Sequence, residues 1–322
     1  MSSSVNTGRF SVGMLAAFAA IYFFWGTTYL AIAVAIETIP PFISGGARFL
    51  LAGLAMYGWL RWRDAAPMAN VDLKMAALTG VLLSGIGNGF VVWSQQGIPS
   101  GIAALIVAAV PIIVLLLDWA FFSKQAPTRQ ALIGTTIAVI GVATIVTHTR
   151  SLSGEANPVY VLSLLLATVG WSFGTLVQKR VVQAGTVLSF TCAQMLFGGS
   201  FQLAMSVIDG EWQAFDPSSV TWGSMLAVAH LVVFGSIVGL NCYLYLLTRV
   251  SAPKVATYAL VNPVVALVLG ALLLNERLTL LAVLAAALVL LGVGLVLFQD
   301  VLKPSRLKSF VARRLPAFAR GE

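Results

Sequence analysis

Apolar residues along this 322-residue chain gather in blocks of about twenty, separated by short polar connections. A helix crossing a hydrocarbon core roughly 30 Å thick needs about that many. The blocks predict helices at 12–34, 41–60, 74–94, 101–120, 130–148, 159–178, 187–208, 221–247, 254–274 and 279–298. The connections have no room for a soluble domain, so consecutive helices are antiparallel neighbours. The first block is too long for a signal peptide and no cleavage site precedes the second, so it is retained. The pattern predicts an all-α polytopic membrane protein of ten transmembrane helices.

Composition removes the water-soluble alternative. Only 9% of the residues are charged and 59% are hydrophobic, whereas a soluble domain carries roughly 25% charged residues. The formal charge of +8 would suggest a nucleic-acid partner if it lay on one face. It lies instead in short connections and at the C-terminus, where it sets topology. With the N-terminus cytoplasmic, the inner segments hold Arg9, Arg61, Arg63, Lys74, Lys124, Arg129, Lys179, Arg180, Arg249, Lys254 and six tail cations, sixteen of the nineteen. The outer loops keep Arg150 and Arg277, together with Glu37, Glu155, Asp209, Glu211, Asp216 and Glu276. Positive charge in short loops resists translocation, so both termini are placed in the cytoplasm and the helix count is even. Cys192 and Cys242 lie inside apolar segments and read as buried inert thiols. No metal or cofactor is predicted.

An internal repeat divides the chain. Trp25 matches Trp171 at an offset of 146, and Arg48-Phe49-Leu50-Leu51-Ala52-Gly53 lies over Gln194-Met195-Leu196-Phe197-Gly198-Gly199 at the same offset. Val110-Pro111-Ile112-Ile113-Val114 lies over Asn262-Pro263-Val264-Val265-Ala266 at an offset of 152, and Gly141 pairs with Gly292 at 151. Each half has five spans. Because five is odd, the halves enter the membrane from opposite sides, as two inverted five-helix repeats. The expected organisation is a cytoplasmic N-terminus at 1–11, a first repeat at 12–148, a periplasmic linker at 149–158, a second repeat at 159–298 and a basic cytoplasmic tail at 299–322.

Four stretches carry a family resemblance: Trp25-Gly26-Thr27-Thr28-Tyr29, then Pro40-Pro41 with Arg48-Phe49, then Pro99-Ser100-Gly101-Ile102-Ala103-Ala104, and Asn262-Pro263-Val264-Val265-Ala266 followed by Asn275-Glu276. In that order and spacing, over residues 12–298, the chain resembles the EamA-type drug/metabolite transporter family. The resemblance implies two five-helix repeats, cytoplasmic termini and efflux of small metabolites. Within the family the chain looks like the inner-membrane amino-acid exporters. Their tryptophans in the first and sixth spans correspond to Trp25 and Trp171, while a third is replaced by Val110, which argues against strict aromatic selectivity.

Candidate transport residues follow from what is costly inside a membrane. Arg48 is an ionisable group in the second span and can meet a carboxylate bidentately, or fix helix ends and packing. It is assigned here to gating or structure. Pro111 and Pro263 occupy matched places in the fourth and ninth spans, where proline frees a carbonyl and opens or kinks a helix; they join Arg48 in that assignment. Trp25, Tyr29 and Trp171 are assigned to substrate, by ring stacking or cation–π attraction. Asn88, Trp93, Asn241, Tyr245, Tyr258 and Asn262 are assigned with them, since amides and phenols hold a zwitterion without a full buried charge. The bland alternative for each is an interhelical hydrogen bond. Trp59, Trp62, Trp119, Trp212 and Trp222 read as interfacial anchors. The tail cations Lys303, Arg306, Lys308, Arg313, Arg314 and Arg320 make a mobile tail or an amphipathic helix on the inner leaflet.

The leading reading is a monomeric inner-membrane exporter of amino acids, aromatic and other neutral ones among them, or of related metabolites. Its partners are a small-molecule substrate and the lipid bilayer, with no nucleic acid. No midplane carboxylate pairs with a cation, so transport is facilitated or weakly coupled. A phosphorylated-sugar or nucleotide-sugar carrier would want several cavity cations and has only Arg48. A membrane-embedded enzyme needs grouped Asp, His or Ser, and a sensor needs an output domain; neither pattern is seen.

Overall fold

A computed structural model of the chain describes residues 11–63, 66–124, 126–152, 158–250, 255–274 and 279–297. The basic tail, Arg9, Lys254, Glu155 and the Asn275-Glu276-Arg277 segment lie outside them, as do the side chains of His148 and Arg150. The described residues are helical, with no strand among them. They form ten rods: α1 (Val12–Ala35), α2 (Pro41–Arg63), α3 (Leu73–Ser94), α4 (Ser100–Ser123), α5 (Arg129–Leu152), α6 (Pro158–Val181), α7 (Val187–Ile208), α8 (Trp222–Leu247), α9 (Tyr258–Leu273) and α10 (Leu280–Leu297).

Local chemistry sets the ends. Ser11, Asp72 and Thr221 cap α1, α3 and α8 by accepting the N–H of Met14, Met75 and Ser224 at 3.2, 3.1 and 3.2 Å, each satisfying one of the first-turn donors a helix leaves over. Pro41 and Pro158 open α2 and α6, where the missing N–H costs nothing. By length and hydropathy α1, α3, α4, α6, α7 and α8 are able to cross a membrane, while α5, α9 and α10 carry shorter apolar stretches. The rod α2 contains Arg48, Arg61 and Arg63 and is less apolar. Leu51, Leu54, Leu162, Leu166, Leu226, Leu272 and Leu284 face outward, while Thr79, Ser84, Gln194 and Gln202 are buried. That arrangement turns a soluble protein inside out and suits a lipid surround.

The strongest packings join the two halves, and they recur when each rod is exchanged for the one five places along. Thus α1 lies on α8 and α9 as α6 lies on α3 and α4, and α2 lies on α8 as α7 lies on α3. The pairs α2–α7, α4–α9 and α5–α10 map onto themselves. Small residues permit these contacts, since lipid tails provide no hydrophobic drive and close van der Waals approach must do so. A Cβ on Gly46 would lie 3.2 Å from the carbonyl of Gly199, and one on Gly199 would lie 3.1 Å from that of Gly46. Their repeat mates, Cys192 and Gly53, meet through a 3.3 Å contact of Sγ with the Gly53 carbonyl.

Two matched distortions have no proline behind them. Gly80–Asn88 in α3 and Leu231–Val238 in α8 are wound as π-helix, a form that concentrates at functional places in helices. The prolines, expected as the paired breaks, behave differently from one another. In α4 the helix is interrupted at Ala108–Ala109, and Pro111 sits in the first turn of the following segment, Val110–Leu117. In α9, Pro263 lies inside a continuous helix, and the tightened turn comes earlier, where the N–H groups of Ala259 and Leu260 reach Ala256 and Thr257.

Candidate functional site

Where α1, α2, α3, α4, α6, α8 and α9 converge they form a cavity with about 60 Å³ of room for water-sized molecules. One water needs roughly 10–15 Å³ by that measure, so a few waters fit. The cavity has a polar end and an aromatic end.

Aromatic rings from both halves build one end. Trp25 of α1 meets Trp171 of α6 edge-on at 5.6 Å between centroids, Tyr258 of α9 edge-on at 5.0 Å and Tyr243 of α8 at 5.1 Å. Tyr243 also lies 5.9 Å from Trp171 and 6.1 Å from Tyr258, and its hydroxyl sits 2.9 Å from Thr175 Oγ1. Each tryptophan is folded over a glycine of the opposite half. A Cβ on Gly239 would collide with Trp25 Nε1, and one on Gly87 would lie 3.1 Å from Trp171 Cβ. The tryptophans are repeat mates at an offset of 146 and the glycines at 152, so the residue pairing recurs, although Gly239 meets the pyrrole edge of Trp25 and Gly87 meets Cβ and Cε3 of Trp171. Trp25 Nε1 donates to the Gly235 carbonyl at 3.1 Å. The Trp171 N–H is buried beside the Tyr243 and Tyr258 hydroxyls, without a close hydrogen bond.

Arg48 forms the polar end. It is only 3% exposed. Its Nε donates to Ser236 Oγ at 2.8 Å and its Nη1 to Asn88 Oδ1 at 3.2 Å, and its Cζ lies 4.7 Å over the Phe49 ring. Gly235 leaves space for the guanidinium, because a Cβ there would lie 2.7 Å from Nη2. Thr28 completes this end, with its hydroxyl turned onto the Trp25 carbonyl at 2.7 Å. His230 stands nearby on α8 with Nε2 2.9 Å from Thr27 Oγ1.

Of the residues the sequence singled out, Trp25, Tyr29, Asn88, Trp171, Tyr258 and Asn262 line this cavity, and so does Arg48. The Asn262 amide, set by its neighbours, directs nitrogen at the carbonyls of Tyr258 and Tyr22, 3.2 and 3.1 Å away. Three others sit apart. Trp93 is at the end of α3, donating to Asp209 Oδ2 at 3.1 Å and packing on Tyr160 at 4.9 Å. Asn241 faces α2, with Nδ2 2.6 Å from the Ile237 carbonyl and 3.3 Å from Met56 Sδ. Tyr245 lies under the Arg249 guanidinium at 3.7 Å. Tyr243, one residue type among several in that stretch of α8, is the one turned into the aromatic box. Among the described residues no group of His, Cys, Asp and Glu could hold a metal ion.

The profile of the EamA-like transporter family matches twice, over residues 11–147 and 158–298. The uncharacterised inner membrane transporter YedA of Escherichia coli K12 is 35% identical over 293 residues, covering 89% of this chain and 91% of that protein. A probable amino-acid metabolite efflux pump of the same organism is 25% identical, covering 85% and 91%. A solved crystal structure shares the fold, with a TM-score of 0.61 at 19% identity over 96% of this chain and 100% of that one.

Proposed function

This chain belongs to the EamA-like transporter family, and from that premise we propose that it exports amino acids, aromatic and other neutral ones among them, or related small metabolites across a bacterial inner membrane. Family membership makes it a membrane transporter of small molecules rather than an enzyme. The substrate reading is carried by one observation: matched tryptophans from the two halves, Trp25 and Trp171, line a single cavity with Tyr258, and Tyr243 packs against all three rings. Such a box accepts flat or apolar side chains by stacking and an ammonium by cation–π attraction. The probable amino-acid metabolite efflux pump among the relatives supports the same class.

All ten rods cross the membrane in this reading, both termini are cytoplasmic, and the two five-helix halves are inverted. Alternating access then follows from rocking one half against the other around the shared cavity. The π-wound stretches of α3 and α8 are the gating elements, since Gly87 lies within the first and Gly239 directly follows the second, and the opposite tryptophans rest on these glycines. Both walls of the cavity come from one chain, so a monomer suffices. Apart from Asp118 near the end of α4, the described rods place no carboxylate in their interiors, so transport is facilitated or weakly coupled. A phosphorylated-sugar carrier would require several cations on the cavity wall, where Arg48 stands alone.

Counterflow in proteoliposomes with labelled aromatic, neutral and basic amino acids tests the reading. Exchange of aromatic and neutral members above protein-free vesicles is expected. Equal rates with and without protein across the whole panel would overturn it, and accumulation driven by a pH gradient beyond the substrate gradient would overturn the weak coupling.

A further inference from the structure

We infer that Arg48 is the anchor for a substrate carboxylate, so that the transported molecule lies along the cavity with its carboxylate at Arg48 and Asn88 and its apolar or cationic part in the aromatic box. This rests on the export reading and narrows it, from small metabolites to monocarboxylates with a compact body, zwitterionic amino acids included. Amines, amides and esters that lack the carboxylate are excluded.

A guanidinium has five N–H donors. Among the described residues Arg48 uses one on Ser236 and one on Asn88, both neutral, and no carboxylate lies within ion-pair distance. A charge held inside a membrane protein without a counter-charge is costly. It is retained where a ligand supplies the missing partner, and a carboxylate fits the planar fork bidentately. Arg48 lines the cavity, and its Nη2 has room there because Gly235 has no side chain.

Helix packing does not explain the charge. Gln194 occupies the repeat-mate position on α7, is equally buried, and is satisfied by a neutral amide, its Oε1 accepting from Gln178 Nε2. The register therefore packs without a cation. A second asymmetry falls on the same cavity. Trp25 spends its N–H on the Gly235 carbonyl, while the Trp171 N–H lies beside the Tyr243 and Tyr258 hydroxyls. A carboxylate held by Arg48 sets the rest of a small amino acid toward Trp25 and Tyr258, because Gly235 and Gly239 place the two ends of the cavity one turn apart on α8.

The test uses the full chain in proteoliposomes and acid/amide pairs as probes: phenylalanine against phenylalaninamide, and leucine against leucinamide, in counterflow. Wild type is expected to favour each acid over its amide by at least about tenfold in half-saturating concentration. Arg48→Gln is expected to raise the acid's half-saturation by a similar factor and to erase the preference, while Arg48→Lys retains part of it. A purely structural Arg48 would lower the rate for both members of a pair and leave their ratio unchanged, and that result would overturn the inference. Asn88→Asp covers the case in which Arg48→Gln does not fold, because it gives Arg48 an internal carboxylate. It is expected to fold and to weaken the acids selectively; unchanged half-saturation for the acids would again overturn the anchor. Transport of acid and amide alike by wild type would sink the anchor alone, whereas transport of neither in any pair would sink the export reading with it.

Discussion

Set side by side, the two halves are alike in their tryptophan–glycine contacts and π-wound stretches and unlike in their buried polar groups. Each contributes a tryptophan over the other's glycine, Trp25 on Gly239 and Trp171 on Gly87, and each carries a π-wound stretch, Gly80–Asn88 and Leu231–Val238. At the polar positions the likeness ends. Arg48 of α2 faces Ser236 and Asn88, whereas Gln194 of α7 turns to Gln178, and Ser84, the repeat mate of Ser236, has a buried hydroxyl with no partner. Symmetric elements suit two gates that must open alternately with similar ease. A substrate with distinct ends needs an asymmetric bed. The comparison separates transport machinery from recognition by the criterion of repeat symmetry.

The largest effect is expected from removing the tryptophans singly. Both replacements by Ala take a large ring out of a packed box, a change that costs about 3–5 kcal/mol in protein cores, and both should reduce counterflow at least tenfold. Trp25→Ala should be the more damaging, because it also leaves the Gly235 carbonyl without its donor. Thermal midpoints in detergent measure the ranking. If Trp171→Ala proves the less stable of the two, the claim that only Trp25 carries a structural hydrogen bond fails.

A smaller effect should come from the glycines. Gly239→Ala puts a methyl group into the Trp25 indole, and Gly87→Ala puts one 3.0 Å from the Leu82 carbonyl and 3.1 Å from Trp171 Cβ. Overpacking of this kind costs about 1–3 kcal/mol. We expect Gly239→Ala to lie at the upper end of that range and Gly87→Ala at the lower, with transport slowed in both. Equal rates in Gly239→Ala and wild type would remove Trp25–Gly239 from the gate.

How much of this could be read in the sequence depends on what each feature is made of. The rods are recorded in block length and apolarity, and positions such as 12–34 and 187–208 agree with α1 and α7 to within a residue or so. The tryptophan pair was legible because the repeat matched Trp25 to Trp171. The π-wound stretches were not, because the winding depends on neighbours packed against α3 and α8; only the glycines at 80, 85, 87, 235 and 239 hint at it. Proline drew attention to α4 and α9, yet Pro263 sits within an unbroken helix, and the tightened turn of α9 lies earlier, between Ala256 and Leu260. On α8 the candidates Asn241 and Tyr245 lie apart from the cavity. Residues two apart on a helix point in different directions, so Asn241 reaches Met56 of α2 while Tyr243 enters the box. The environment of Arg48 was beyond reach, because its neutral partners lie 40 and 188 positions away in the chain.

The smallest predicted effect probes whether the asymmetry extends to the ends of the rods. The start of α2 is capped by the other half: Glu211, 6% exposed, accepts the N–H of Phe42 at 2.9 Å and of Ile43 at 2.8 Å. The start of α7, its repeat mate, has no side-chain cap. Nearby, Thr38 donates to Ser224 at 2.8 Å and Ser224 to the Val34 carbonyl at 2.9 Å, so this end of the molecule is cross-linked between halves. Burial holds the Glu211 carboxyl above its ordinary range, opposed by the two N–H groups and reinforced by the charge of Asp209. A carboxyl raised on folding binds its proton more tightly in the folded state. Its contribution to stability is therefore complete below the ordinary glutamate value and is lost as the pH climbs through the raised one. Between pH 7 and 5 the wild-type thermal midpoint should rise relative to that of Glu211→Gln, which has no proton to bind at this site. A difference between the two proteins that stays flat over that interval would mean that Glu211 is fully ionised in its pocket, and the latch would then owe its strength to charge on the α2 helix end rather than to a buried acid.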